Sequence, residues 1–283
     1  MVESKKLHIA MFPWLAFGHI IPYFELGKLI ARKGHHISFI STPRNIDCLP
    51  KIPPHLTPLI TLVKLPLPHV ENLPENAEAT MDIPHHLIPY LNIAHDGLQQ
   101  PLSQLLENSL PDWIIHNFAP HWFPPIASKL GISMAFFSIF NASSFCFFGP
   151  TKPSITKVQE PRSEPEHMGL LQWRVSFPSK IVFRLLFEAK KIFENYEENA
   201  FGVLDWFRVA TVMSGTQAFT VKTCMEVEDE WVNILGELHN VPVIPVGLLP
   251  PSAQERNEDS TWDTIVEWLN KQEKESDLYS TWK

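Results

Sequence analysis

The chain is poor in several features that would assign its class at once. Only three cysteines occur in 283 residues, Cys48, Cys146 and Cys224. They are far apart, odd in number and without C-x-x-C spacing, which excludes a disulfide framework and fits reduced structural thiols inside a cell. Positive charge is also short: 23 Lys and Arg against 31 Asp and Glu leave a net charge of −8. No basic block or stripe is present, so the electrostatic footprint of a nucleic-acid binder is missing and nucleic acid is not expected as a partner. No G-x-G-x-x-G or P-loop occurs, so the usual phosphate cradles are absent. The one long uncharged run, residues 130–151, is interrupted by Gly131, Ser133, Ser138, Asn141, Ser143, Ser144 and Gly149. A strand followed by a buried helix explains it better than a membrane span. Residues 1–6 carry no apolar segment ending in a small-residue cleavage site, so a cytoplasmic location is expected, and the sequon Asn141-Ala142-Ser143 carries no weight.

What is present is an ample apolar fraction, 45% of residues, arranged as alternating strand and helix patterns. Strands are predicted over residues 7–14, 36–42, 60–67, 112–118, 133–140, 209–214 and 243–246; helices are predicted over 23–33, 87–106, 126–130, 179–199 and 226–238. Residues 71–84 are acidic and proline-bearing and read as a loop, and 150–178 read as a surface excursion of the kind that covers clefts. The alternation predicts an α/β fold, a doubly wound parallel sheet with helices on both faces.

Within this pattern His19 stands out. It lies in Pro13-Trp14-Leu15-Ala16-Phe17-Gly18-His19-Ile20-Ile21-Pro22, where the first strand pattern gives way to the first helix pattern. Ligands of open parallel sheets bind outside the carboxyl ends of the strands, and the positive end of a following helix keeps an imidazole neutral and able to accept a proton. His19 is therefore a candidate general base, although a lone loop histidine is also an ordinary structural residue. His85, His86, His116 and His121 add imidazoles without any H-E-x-x-H or comparable spacing, so no metal is expected.

At these residues the chain resembles the plant family 1 UDP-dependent glycosyltransferases. The resemblance rests on Phe17-Gly18-His19-Ile20-Ile21-Pro22 with Glu25-Leu26-Gly27-Lys28-Leu29, Ser41-Thr42-Pro43-Arg44-Asn45, Asp112-Trp113-Ile114-Ile115, Phe136-Phe137-Ser138 and Val243-Ile244-Pro245-Val246-Gly247. It is strongest to the branch of flavonoid and terpenoid glycoside enzymes that includes UDP-rhamnose:rhamnosyltransferase-like proteins. The family implies a GT-B arrangement, in which a Rossmann-like amino-terminal domain binds the acceptor and a second domain binds the UDP-sugar. On that template residues 1–247 are the acceptor domain and 248–262 a linker, and 263–283 stand where the donor domain would begin, with no donor signature.

The resemblance further implies an inverting displacement in which His19 deprotonates the acceptor hydroxyl and a strand-end Asp orients the imidazole. The matching position here is Asn117, which can accept an imidazole N–H but cannot neutralise imidazolium. Phe17, Gly18, Ile20, Pro22, Phe118, His121, Trp122 and Phe140 are implied to line the acceptor cleft, and Ser138 to approach the donor sugar; for the aromatics, core packing is the ordinary alternative. The implied partners are a small-molecule acceptor such as a flavonoid or terpenoid glycoside and a UDP-sugar as co-substrate, with no other cofactor. The alternative is a catalytically inactive acceptor-binding half, with exposed interdomain surface and a tail in which Trp262, Ile265, Trp268 and Leu269 lack a docking site.

Overall fold

The structure, a computed structural model, describes residues 5–148, 205–250 and 260–272. Two compact units divide the chain, Met1–Pro250 and Pro251–Lys283. The first is built on seven parallel strands: β1 (His8–Phe12), β2 (His36–Ser41), β3 (Ile60–Lys64), β4 (Trp113–His116), β5 (Ser133–Ser138), β6 (Ala218–Val221) and β7 (Val243–Pro245). Their order in the sheet is β3-β2-β1-β4-β5-β6-β7, so the winding reverses between β1 and β4. Such a switch point opens a crevice at the strands' carboxyl ends, where α/β proteins bind ligands.

The side-chain period of two explains why β1 reads as an unbroken apolar run. Ile9 and Met11 face one core with Tyr23, Phe24 and Leu26 of helix α1 (Phe17–Arg32). Ala10 and Phe12 face the opposite core with Leu102 and Leu106 of α4 (Gln99–Ser109) and Phe123 of α5 (Phe123–Leu130). Both faces of the sheet are therefore covered, as the alternation of elements predicts. Strand registers are in phase, with Phe12 opposite His116 and Met11 opposite Phe39.

Several boundaries depart from the sequence-based expectation. Helix α1 begins at Phe17, six residues before the predicted start, with Ala16 in extended conformation and Pro22 inside the helix. Proline is compatible with an early turn because only one ladder donor is lost, here the one that would meet the Gly18 carbonyl. The single helix predicted over 87–106 is two, α3 (Ile88–Asp96) and α4, separated at Gly97. A Cβ at position 97 would lie 2.5 Å from the Pro68 ring, so the break is where the chain passes closest to the loop before it. The strand predicted over 209–214 is helix α7 (Asp205–Ser214), and the strand of that region is β6, which the pattern missed. Val212 and Met213 of α7 pack into one core with Phe136, Phe219 and Leu235, so tertiary burial overrides the β preference of a valine-rich stretch.

Helix α6 (Ala142–Phe148) follows β5, and α8 (Met225–His239) precedes β7. The helix predicted over 179–199, the excursion over 150–178 and much of the linker and tail lie outside the described residues. In the second unit α9 (Ser260–Asn270) carries a Glu267–Lys271 ion pair at 2.8 Å and exposes Ile265, Trp268 and Leu269. Among the described residues no helix is long and apolar enough to cross a membrane.

Candidate active site

His19 is the third residue of α1, directly beyond the carboxyl end of β1 and beside the switch point. Its ring stands edge-on to Phe118 at 5.7 Å and to Phe140 at 6.4 Å between centroids. Burial pushes its pKa down to about 4, and the start of α1 acts in the same direction by disfavouring a cation. The imidazole is thus neutral at pH 7, and its Nδ1 is buried with no hydrogen-bond partner. Gly18 is exposed, and a Cβ built there would meet nothing within 4 Å, so the approach beside His19 is open.

Asn117 follows β4, the strand paired with β1, and is buried. Its Oδ1 accepts the Ala119 N–H at 3.0 Å, which fixes the orientation of the amide, because a backbone N–H requires the oxygen. Its Nδ2 is buried with no partner. His19 Nδ1 and Asn117 Nδ2 are each without a partner, so the two side chains are not hydrogen-bonded to each other, and toward an imidazole the amide can present either its Nδ2 donor or the second lone pair of Oδ1. An N–H offered to Nδ1 stabilises the tautomer with hydrogen on Nε2, and that tautomer has no lone pair on Nε2 with which to act as a base. An Asp at this position would keep the Ala119 contact with one oxygen and present an acceptor with the other.

The structure gathers only part of the predicted acceptor set around this imidazole. Gly18 and Phe17 flank His19 in the first turn of α1, and Phe118 and Phe140 face its ring. Ile20 and Pro22 are buried, Ile20 in the core beneath α1 with Tyr23 and Phe24. Trp122 is 7% exposed in the core on the other face of the sheet, and its Nε1 donates to Asp96 at 3.1 Å. His121 meets Arg208 rather than His19. The Ser138 hydroxyl donates to the Phe140 carbonyl at 2.7 Å and accepts the Phe140 N–H at 3.1 Å, so it shapes the turn that presents Phe140. Glu228 caps the start of α6, just after this turn, by accepting the N–H groups of Ala142 and Ser143 at 2.9 and 3.1 Å. Burial raises its pKa, but those bonds and one from Thr223 outweigh that and hold the carboxyl below its usual value.

Other residues near the site carry no motif. The acidic loop is tied down over the end of β1: Thr80 donates its N–H to the Leu15 carbonyl at 2.8 Å, Arg44 pairs with Asp82, and Ala77 and Ile83 are buried with Trp14 and Leu15. Below it His95 is fully buried, stacked on Phe12 at 5.1 Å and edge-on to Trp14 at 5.3 Å, with neither ring nitrogen hydrogen-bonded. Burial, with Arg208 and His121 adding to it and Asp96 opposing, lowers its pKa to about 4. Two unpaired buried polar atoms in an aromatic box are costly, so His95→Phe is expected to raise stability by about 1–3 kcal/mol, read as an upward shift of the urea midpoint at pH 7. A fall in the midpoint would mean that His95 has a partner that the box does not reveal. Among the described residues no three His, Cys, Asp or Glu side chains converge as a metal site.

No protein-family model matches the chain. Among curated proteins, UDP-glycosyltransferase 91C1 of Arabidopsis thaliana is 45% identical over 99% of this chain and 60% of its own length. Soyasaponin III rhamnosyltransferase of Glycine max is 41% identical over 98% of this chain and 58% of its own length. Among solved structures, Arabidopsis thaliana UGT89C1 complexed with UDP-L-rhamnose superposes with a TM-score of 0.63 at 20% identity, covering 96% of this chain and 56% of that one. The chain thus spans about three-fifths of the length of the curated relatives it matches.

Proposed function

This chain belongs to the plant UDP-glycosyltransferases, corresponding to their amino-terminal part, and we propose that it supplies the acceptor side of sugar transfer. The acceptor is a hydroxyl of a small molecule such as a flavonoid or terpenoid glycoside. His19 takes the hydroxyl proton, the acceptor oxygen bonds to the anomeric carbon on the face opposite the nucleotide, and UDP leaves with the electrons of the broken bond. The configuration at that carbon inverts. The UDP-sugar is the co-substrate, and the cytosol is the compartment that fits this chemistry.

The observation that carries the reading is a neutral imidazole at the switch point, beside the open approach at Gly18 and between Phe118 and Phe140. Flanking aromatic rings suit a flat or polycyclic acceptor, since offset and edge-on ring contacts contribute about 0.5–1.5 kcal/mol each beyond their burial. A second reading, an acceptor-binding half without turnover, is favoured by Asn117, whose amide offers a donor as well as an acceptor and so neither enforces the reactive tautomer of His19 nor neutralises an imidazolium.

A UDP-release assay on the 283-residue chain with UDP-glucose and UDP-rhamnose, using a flavonoid glycoside as acceptor, separates the two. Acceptor-dependent release that disappears in His19→Ala supports the transferase. A chain that binds the acceptor and releases no UDP supports the second reading.

A further inference from the structure

Arg208 lies on α7, away from the resemblance motifs, and is 2% exposed. Its guanidinium forms a fork on Asp96 of α3, with Nη1 to Oδ1 at 2.7 Å and Nη2 to Oδ2 at 2.5 Å. The same Nη1 donates to the Ala119 carbonyl at 3.2 Å and reaches His121 Nδ1 at 3.0 Å. The Ala119 carbonyl also accepts the His121 N–H at 2.9 Å, and Pro120 follows it with its fixed φ. The other side of the Ala119 residue closes the sequence of contacts, because its N–H is what holds Asn117 Oδ1.

A planar cation with several fixed donors is suited to grip a carboxylate and a carbonyl at once, which an ammonium on a flexible stem is not. Both contacts act on the turn between β4 and α5 whose Ala119 N–H holds the Asn117 amide. Phe118, the residue between, stands against both His19 and Trp14, so movement of this turn reaches the imidazole by two routes. The groups facing Arg208 are Asp96, His121 and the Ala119 carbonyl, with Trp122 donating to Asp96 and His95 beside it.

We propose that Arg208 is a positioning residue for the His19–Asn117 site: clamped by Asp96, it holds the Ala119 peptide and thereby fixes the Asn117 side chain. The inference rests on the reading of His19 and residue 117 as a working pair.

The test is a double-mutant cycle on the full 283-residue chain, read as the His19 pKa and ring tautomer by NMR with nitrogen-15-labelled histidine, His19 being assigned by its loss in His19→Gln. Asn117→Asp is expected to raise the His19 pKa by about 1–3 units, as a carboxylate close to an imidazole does. Adding Arg208→Lys, which keeps the charge opposite Asp96 but loses the fork, is expected to remove at least half of that rise. If Arg208→Lys does not fold, the neutral pair Asp96→Asn with Arg208→Met replaces it, since removing both charges avoids a buried unpaired carboxylate. Met213→Ala, on the same helix and distant from Ala119 in the contact sequence, is the control for loss of stability alone and is expected to leave the rise intact.

An undiminished rise in the Arg208 variants overturns the proposal while leaving the pair in place. No rise in Asn117→Asp itself overturns the pair, and the positioning role with it.

Discussion

Asn117→Asp is expected to increase sugar transfer by roughly 100-fold or more when the chain is joined to a donor domain that holds UDP-sugar, the range that a positioned general base contributes. The argument is one of hydrogen-bond capacity. Ala119 N–H takes one lone pair of Asn117 Oδ1 and Nδ2 is left without a partner, while His19 Nδ1 is the unpaired buried atom in the adjoining turn, so the amide can meet an imidazole as donor or as acceptor. An amide leaves both imidazole tautomers open, whereas a carboxylate, which only accepts, holds the hydrogen on Nδ1 and leaves the Nε2 lone pair for the acceptor. In a serine protease triad the reverse exchange, Asp to Asn, lowers turnover by about ten-thousandfold, or roughly 5 kcal/mol, for the same reason. A smaller factor is expected here because sugar transfer to an open hydroxyl draws less on one dyad. The check is kcat for both proteins across pH. An unchanged kcat with an unchanged pH profile would show that residue 117 does not address His19.

The second large effect is on stability in mild acid. His19, His95 and His116 are each held at a pKa of about 4 by burial, against about 6.5 in an unfolded chain. Between these values the unfolded state binds protons that the native state does not. Stability therefore falls as the pH drops from about 6.5 towards 4, and the penalty is absent above pH 6.5. Each histidine accounts for up to about 3 kcal/mol at pH 4, since each tenfold loss of proton affinity on folding is worth about 1.4 kcal/mol. Three together approach the whole stability of an ordinary domain, about 5–15 kcal/mol, so unfolding is expected before pH 4 is reached. Carboxylates with lowered pKa values act in the same direction, but at lower pH, which leaves the window from 6.5 to 5 to the histidines. Urea melts at pH 7.0, 6.0 and 5.0 test this, and His95→Phe is expected to flatten the dependence by about a third. A midpoint that stays level from pH 7.0 to 5.0 would contradict the buried neutral assignment.

The elements that were legible in the sequence are those buried on both faces. β1, β4 and β5 read as unbroken apolar runs because cores lie on either side of the sheet, and the position of His19 follows from the end of β1. The start of α1 was not legible, because Pro22 suggests a helix boundary where it in fact lies inside the first turns. That shift decides the fate of two predicted acceptor residues. A helix starting at Phe17 places Ile20 on the stripe of Tyr23 and Phe24, facing the sheet, and buries Pro22 as well. The stretch holding α7 looks like a strand because valine recurs in it, and Arg208 stands just before that run. Its partners lie 112 and 89 residues earlier, at Asp96 and Ala119, a separation that no local pattern encodes. A single charge at the edge of an apolar run was the one available signal.

Isothermal titration of the 283-residue chain with a flavonoid glycoside and, separately, with UDP tests the central claim, that this chain is the acceptor side of a glycosyltransferase. The account predicts saturable one-to-one binding of the glycoside, weakened when the exposed ring is removed in Phe140→Ala, and no binding of UDP. Saturable UDP binding in the absence of the glycoside, or no glycoside binding by a folded chain, would contradict it.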